Sequence, residues 1–198
     1  MAIDRREALR RTAMIMGGAL SAPSVMAVLN GCTAKPELNW TPSFFNEEQA
    51  ILIMELAEDI IPQTATPGAK ALGIPRFIEE MVGARFAQGD RDKFMTGLAQ
   101  FDQDCLAATG NAYLDLDLEH RVEYLKKLNA EINKNIYHAR FTPNKEKTFF
   151  WMLKELTLTG YFTTEVGATQ VLQHKAIPQE YKGCVTLYEA GGRTWATS

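Results

Sequence analysis

Apolar residues recur at helical spacing through the long segments after residue 45, and this periodicity limits the fold more than any other feature. The first such segment begins with Asn46 and Gln49, which form a capping-box pattern. It stops at Pro62, because proline cannot continue a helix. Its apolar residues stand mostly at helical spacing: Ile51, Ile53, Met54, Leu56, Ile60 and Ile61. No alternation of apolar and polar residues is long enough to predict a strand, so the sequence predicts an all-α fold.

Three further helices are predicted from the same pattern. Pro75 suits the first position of the second helix. Asp90 is the predicted N-cap of the third helix, which Gly110 ends. The fourth helix begins near Asp117 and has a charged outer face. Its predicted buried stripe consists of Leu118, Val122, Leu125, Leu128 and Ile132.

The most apolar segment follows Pro143 and includes the run FFWMLKELTLTGYF. Its main stripe contains Phe149 and Leu153, whereas Trp151 and Met152 lie away from that stripe. A helix that is apolar on more than one side is either buried centrally or presented to a partner. A bend is predicted at residues 160–162, followed by a short helix over 164–173 and a loop-like tail over 176–195.

These elements predict one compact helical domain over residues 46–198, with about five to six helices and a loop-rich C-terminal tail. A signal segment precedes this domain.

Residues 1–31 are interpreted as a targeting segment and are left out of the fold. Arg5 and Arg6 open a basic cluster, and an apolar stretch over residues 12–22 follows. This stretch is too short for a transmembrane helix, which needs roughly 20 apolar residues. Its two glycines and single leucine favour a twin-arginine signal over the general secretory signal, although Ala8 stands where a bulky apolar residue is more usual.

The stretch LNGC, which ends at Cys32, resembles the lipobox of bacterial lipoproteins, in which the cysteine is acylated and becomes the new N-terminus. Acyl chains on Cys32 would anchor the protein to a membrane. The alternative is cleavage after Ala27, which would leave a free periplasmic protein. Residues 32–45 are predicted to form a tether between the anchor and the helical domain.

Two cysteines remain if Cys32 is acylated. In an oxidising compartment, Cys105 and Cys184 could form a disulfide. Two buried thiols, or one thiol bridged to another polypeptide, are the alternatives.

Charge and motifs exclude several functions. The net charge of −3 gives no indication of nucleic-acid binding. The sequence lacks a glycine-rich dinucleotide fingerprint, a phosphate-binding loop, a nucleophile elbow and a covalent haem motif. The negative charge also bears on membrane attachment. Because an acidic surface is not attracted to anionic lipid, attachment would depend on an acyl anchor.

Two side-chain pairs are candidates for a reactive site. Asp117 and His120 have the spacing of one metal-binding pair of a di-iron bundle, but such a site needs a second pair and two more carboxylates. Glu155 and Glu165 flank the predicted bend and could act as acid and base. Helix capping and solvation are the preferred interpretation of the first pair. For the second pair a structural role is preferred, because Glu165 falls in the first turn of a predicted helix, where the dipole favours an acid.

Three stretches resemble the gluconate 2-dehydrogenase subunit 3 family. They are AEDIIPQTATPGAKALGIPRFIEE at 57–80, FFWMLKELTLTGYFTTEVG at 149–167 and IPQEYKGC at 177–184. The resemblance implies a small accessory subunit, exported by the twin-arginine route, that accompanies an FAD-bearing catalytic subunit of the glucose-methanol-choline type. It also implies a c-type cytochrome with haem c as a further partner.

The expectation is therefore a non-catalytic subunit in the periplasm that binds no cofactor or metal itself. Its partner would oxidise a sugar, sugar acid or alcohol. Candidate partner contacts are Trp151, Tyr161 and Phe162, for which a core position is the alternative, and Tyr181 and Trp195 in the tail. A stand-alone helical lipoprotein that binds a small ligand is the competing function, and a metal-dependent enzyme around His120 is the second.

Overall fold

The computed structural model describes residues 37–139, 147–175, 177 and 184–196, without the side chains of 135–139. Residues from Leu38 onward form one compact unit. Arg5, Arg6 and Cys32, together with Tyr181, lie outside the described residues.

Five α-helices and three short helical turns account for most of the described chain. The turns are two π-helical ones, Met81–Arg85 and Gly167–Val171, and a 3-10 turn at Tyr113–Asp115. The described residues contain no strand, only an isolated bridge between Gln173 and Trp195. The predicted all-α class is confirmed. The helices are α1 Glu47–Ile60, α2 Ile74–Glu80, α3 Gln88–Thr109, α4 Leu118–Ala139 and α5 Phe149–Thr163.

Several helix ends follow their local sequence signals. The Asn46 side chain accepts from the Gln49 backbone N–H at 2.8 Å, and the Gln49 side chain accepts from the Asn46 N–H at 3.1 Å. This reciprocal pair is the predicted capping box. Gly110 ends α3 in the left-handed region at φ 85°. The predicted N-cap of α3 is wrong: Ala87 occupies that position, and Asp90 lies in the first turn, where the helix dipole favours a carboxylate.

Helix α5 is the centre of the domain. It contacts each of the other four α-helices. Phe149, Leu153 and Met152 are all buried, so burial extends beyond the predicted stripe to a residue expected to lie away from it. Central burial thus explains why this helix is apolar on more than one side.

The predicted bend at residues 160–162 is wrong, because α5 continues to Thr163. Gly160 supports this continuation by letting α2 approach closely. A Cβ at Gly160 would lie 2.6 Å from Phe77 Cδ1. The glycine therefore permits a helix contact and does not end the helix.

Aromatic side chains fill much of the core between α3, α4 and α5. The rings of Phe94 and Phe149 lie 5.0 Å apart, and those of Phe101 and Phe149 lie 5.6 Å apart. On α4, Leu125 and Ile132 are buried as predicted, but Leu118 is 65% exposed. Tyr124 packs against Phe101 instead, so the buried stripe of α4 begins later than predicted.

Candidate partner interface

A short backbone pairing joins the C-terminal residues to the chain that follows α5. The Gln173 N–H donates to the Thr194 carbonyl at 2.9 Å, and the Ala196 N–H donates to the Gln173 carbonyl at 2.7 Å. The Gln173 side-chain amide also donates to the Ala190 and Arg193 carbonyls. Residues 184–196 therefore form an ordered loop, although their sequence predicts neither a helix nor a strand.

Arg193 also holds this loop in place, through contacts with the turn at Gly167–Val171. Its guanidinium donates to the carbonyls of Thr169 at 3.1 Å and Gln170 at 2.9 Å. These carbonyls lie at the end of the Gly167–Val171 turn, where the helix leaves acceptors without partners. Gly191 and Gly192 adopt φ of 73° and 77°, which allows the chain to turn back.

This ordered loop exposes large apolar side chains. Leu187 is 61% exposed, Tyr188 is 93% exposed, and Val185 and Trp195 are also exposed. We call Val185, Leu187, Tyr188 and Trp195 the C-terminal surface. Apolar side chains that a loop holds in water favour contact with another molecule, because association would remove their surface from solvent.

The aromatic residues predicted as partner contacts separate into core and surface. Tyr161 is buried, and its hydroxyl donates to the Pro67 carbonyl at 2.9 Å. Phe162 is partly buried, and its ring lies 5.4 Å from that of Tyr161. Trp151 is partly buried and donates to Glu155 at 2.9 Å. Trp195 is the exposed one among these four.

Leu187 and Tyr188 were missed by the sequence analysis. The signal that could have found them is an apolar pair in the loop-like tail just before the two consecutive glycines Gly191 and Gly192. An apolar pair in a loop has no helix face to occupy, so it is either folded back onto the core or exposed. The structure shows that this pair is exposed.

The two remaining cysteines are both free thiols in the structure. Cys105 is buried and Cys184 is exposed. Burial raises the pKa of the Cys105 thiol, which keeps it protonated and unreactive. The structure therefore does not contain the intramolecular disulfide that the sequence analysis considered.

The segment before α1 is held against α2 by the side chain of Glu79. One oxygen of Glu79 accepts from the backbone N–H groups of Ser43 at 2.7 Å, Phe44 at 2.8 Å and Phe45 at 3.1 Å. The other accepts from the Trp40 indole at 3.1 Å. Burial opposes ionisation of Glu79, but these hydrogen bonds outweigh it and lower its pKa. An ionised carboxylate thus holds the segment Trp40–Phe45 against α2.

A cluster of charges ties α1 to the next loop and to α4. Glu55 lies 2.5 Å from Lys70 and 3.4 Å from Arg121. Asp59 accepts from the buried Tyr113 hydroxyl at 2.7 Å, and burial raises the pKa of Asp59. Asp59 and Lys70 of this cluster fall in the first resemblance stretch. Its groups satisfy one another, which is typical of a structural ion network.

The loop between α1 and α2 depends on Glu58 in the same way. Its carboxylate accepts from the backbone N–H groups of Gln63 at 3.0 Å and Lys70 at 2.8 Å. A Cβ at Gly68 would overlap this carboxylate and lie 2.6 Å from the Gln63 backbone nitrogen, which cannot move aside, so glycine is required there. This loop is therefore held by an acceptor that lies on α1.

The two pairs that were candidates for a reactive site lie at the surface. His120 and Asp117 lie 2.7 Å apart and are both exposed, and hydrogen bonding to Asp117 raises the pKa of His120. Glu155 forms an ion pair with Lys147 at 2.5 Å, while Glu165 is exposed. Within the described ranges, no three His, Cys, Asp or Glu side chains lie together as metal ligands.

A cleft beside the fastened segment is lined in part by Trp40, Phe44, Arg76 and Glu79. Its volume is about 740 Å³. The described helices include none that is both long and apolar enough to cross a bilayer.

The fold and its surfaces define a class: a small helical domain with an ordered, exposed apolar loop. Residues 47–178 match the family described as gluconate 2-dehydrogenase subunit 3. This range covers more than half of the 198-residue chain, so the chain belongs to that family. No curated protein and no solved structure matches it significantly. The segment Trp40–Phe45 lies before the matched range and the C-terminal surface lies after it.

Proposed function

We propose that this chain is a non-catalytic accessory subunit of an FAD-dependent dehydrogenase complex. The observation that carries the proposal is membership of a family described as a subunit of gluconate 2-dehydrogenase. Substrate oxidation takes place on the partner subunit, where a hydride passes from a sugar, sugar acid or alcohol to the flavin. This chain contributes binding surface, not reacting groups.

The proposal has three parts: two roles of this chain, which are export and anchoring, and one further partner. The twin-arginine signal with Arg5 and Arg6 takes the flavoprotein out of the cytoplasm as a folded pair, which also allows the flavin to be inserted first. Acylation at Cys32 then anchors the complex to a membrane in the periplasm. A c-type cytochrome accepts electrons from the flavoprotein. The sequence pattern of residues 1–32 supports the first two parts.

The C-terminal surface is the proposed contact with the flavoprotein. Leu187 and Tyr188 project from a loop whose backbone is already held by Gln173 and Arg193. Because the loop is ordered before binding, little conformational entropy is lost when a partner covers it. Exposed aromatic side chains such as Tyr188 and Trp195 commonly dominate binding energy, while neighbouring apolar contacts exclude water around them.

The first experiment is purification of the tagged native chain in mild detergent, followed by an absorbance spectrum of the eluate. A larger co-purifying subunit with flavin bands is the expected result. A colourless monomer would contradict the proposal. It would favour the stand-alone lipoprotein, whose ligand would then be sought in the cleft lined by Trp40 and Arg76.

Substitutions then test the surface. Leu187→Asp and Tyr188→Asp place charges where apolar contact is expected, so flavoprotein recovery should fall at least tenfold. Leu106→Asp is the matched control, because Leu106 is 52% exposed on α3, away from this loop in sequence. Equal recovery from all three variants, with unchanged thermal unfolding, would remove the C-terminal surface from the interface.

A further inference from the structure

The connection between Cys32 and the folded domain is shorter than the sequence predicts. The predicted tether covers residues 32–45, but Glu79 holds Trp40, Ser43, Phe44 and Phe45 against the domain. Leu38 is also partly buried against the core. The connection from Cys32 to the packed chain is therefore only the stretch up to Leu38.

Covalent geometry limits how far this stretch can reach. Each residue spans at most about 3.3–3.6 Å, so the six steps from Cys32 to Leu38 cover about 20 Å at full extension. A domain of about 160 residues has a radius of gyration of about 15 Å and a diameter near 40 Å. The linker is thus shorter than the domain is wide, and a lipid anchor cannot be reached from the opposite side.

We propose that the face around Trp40, Phe44 and Arg76 lies toward the surface of a phospholipid bilayer. The inference rests on the proposed acylation of Cys32, and it adds the orientation of the domain. The opposite side of the domain then faces the periplasm.

The chemistry of this face suits lipid headgroups. The Arg91 guanidinium lies 5.9 Å from the Phe44 ring centroid, and Arg76 and Arg85 are exposed nearby on α2 and the turn after it. Among the residues that line the cleft here, the carboxylates are Glu79, which the four hydrogen bonds occupy, and the exposed Glu80. Trp40, Phe44 and Arg76 line the same cleft and present aromatic and cationic groups. Such groups are favoured at the headgroup level of anionic bilayers.

Helix α3 provides a ruler for testing this orientation. Its N-terminal part lies at the proposed membrane face, because Arg91 contacts Phe44 and the Phe94 ring lies 6.2 Å from that of Phe45. At a rise of 1.5 Å per residue, Gly89 and Ala108 are about 29 Å apart along the helix. Both are exposed, and the space around the Gly89 Cα is open.

The experiment uses the acylated chain purified from membranes, with Cys184→Ser to remove the exposed thiol. Gly89→Cys or Ala108→Cys then carries a donor fluorophore, while Cys105 stays buried. The protein is reconstituted in vesicles of phosphatidylcholine and phosphatidylglycerol that contain an acceptor-labelled phosphatidylethanolamine. Energy transfer should be several-fold higher from position 89 than from position 108.

A longer linker is the matched control. Inserting about twenty Gly and Ser residues between Glu37 and Leu38 adds a flexible chain with a root-mean-square length of about 25 Å. This insertion leaves the hydrogen bonds of Glu79 in place, so the domain stays folded. The two positions should then give nearly equal transfer.

The outcomes separate the inference from the function on which it rests. Equal transfer from both positions in the acylated, uninserted chain overturns the orientation and leaves the accessory role intact. A chain that lacks the acyl mass and does not float with vesicles overturns the proposed anchor, and the orientation with it. Flavoprotein co-purification, which needs no vesicle, tests the accessory role separately.

Discussion

At the scale of single residues, Glu79 accepts four hydrogen bonds with one side chain. Glu79→Gln removes the charge and one acceptor oxygen from a site where three backbone N–H groups and an indole donate. Hydrogen bonds to charged groups contribute about 1.5–3 kcal/mol each, so the free energy of unfolding should fall by about 2 kcal/mol. Urea unfolding measures the change. Glu80→Gln, at the exposed neighbour, is the control and should change little.

The contribution of Glu79 should also depend on pH. Its pKa is lowered in the folded state, below a usual value of 4.5. The stabilisation is therefore fully present above about pH 4.5 and is lost as the pH falls through the folded-state pKa. The difference in unfolding free energy between wild type and Glu79→Gln should be largest near neutral pH and shrink in acid. A difference that stays constant from pH 7 to pH 3 would show that charge plays no part.

Which individual side chains are buried and which are exposed was the hardest property to predict from the sequence. Trp151, Tyr161 and Phe162 are equivalent from sequence alone, as large aromatics on one apolar helix. What places Tyr161 in the core is a hydrogen bond to Pro67, 94 residues earlier in the chain. No local pattern encodes such a contact. Likewise, nothing in the tail sequence indicated that Arg193 would hold the loop so that Tyr188 is exposed.

At the scale of helices, the packing of α3 against α5 depends on Gly97. A Cβ at Gly97 would overlap the Cβ of Phe149, and that atom cannot rotate away because it is fixed to the α5 backbone. Gly97→Ala should therefore lower the unfolding free energy by about 2 kcal/mol, despite the better helix propensity of alanine. Gly89→Ala on the same helix meets open space and should leave stability unchanged or raise it by up to about 1 kcal/mol. Thermal and urea unfolding of both variants test the difference, and similar losses in the two would contradict the packing argument.

The C-terminal loop gives a second element-scale prediction. Arg193→Ala removes the donors to the Thr169 and Gln170 carbonyls at an exposed site. The loop should then open more often, with at least tenfold faster amide exchange over residues 184–196. The global unfolding temperature should hardly change, because the loop contributes little to the core. Lys175→Ala, at an exposed position before the loop, is the control and should leave exchange unchanged.

Helices were predictable where their ends are encoded locally. The capping box of Asn46 and the glycine at 110 act within a few residues, so the sequence located both helix ends. The continuation of α5 through Gly160 was not predictable, because it depends on the approach of Phe77 from another helix. The central position of α5 was one of two alternatives that its all-round apolar character allowed.

At the scale of the whole molecule, the family match and the candidate surfaces divide the chain. The matched range, 47–178, contains the ion network of Glu55 and Arg121 and the central helix. The segment that Glu79 fastens precedes this range, and the C-terminal surface follows it. In the proposed assignment, the matched domain lies between a segment that faces the bilayer and a surface that contacts the flavoprotein.

The proposed export of the complex involves the whole molecule, and it yields the last prediction. Because the twin-arginine pathway distinguishes arginine from lysine in its signal, Arg5→Lys with Arg6→Lys should block export while keeping the positive charge. If the flavoprotein crosses as a passenger, its flavin and dehydrogenase activity should be retained in the cytoplasm, with at least a tenfold loss from the periplasm. Arg10→Lys with Arg11→Lys, in the same basic cluster, is the control and should export normally. Cell fractionation with flavin fluorescence measures the flavoprotein in the cytoplasm and in the periplasm for both double variants. Normal flavoprotein export in the Arg5 and Arg6 variant, with this chain retained, would mean that the flavoprotein leaves by its own route and that this chain joins it afterwards.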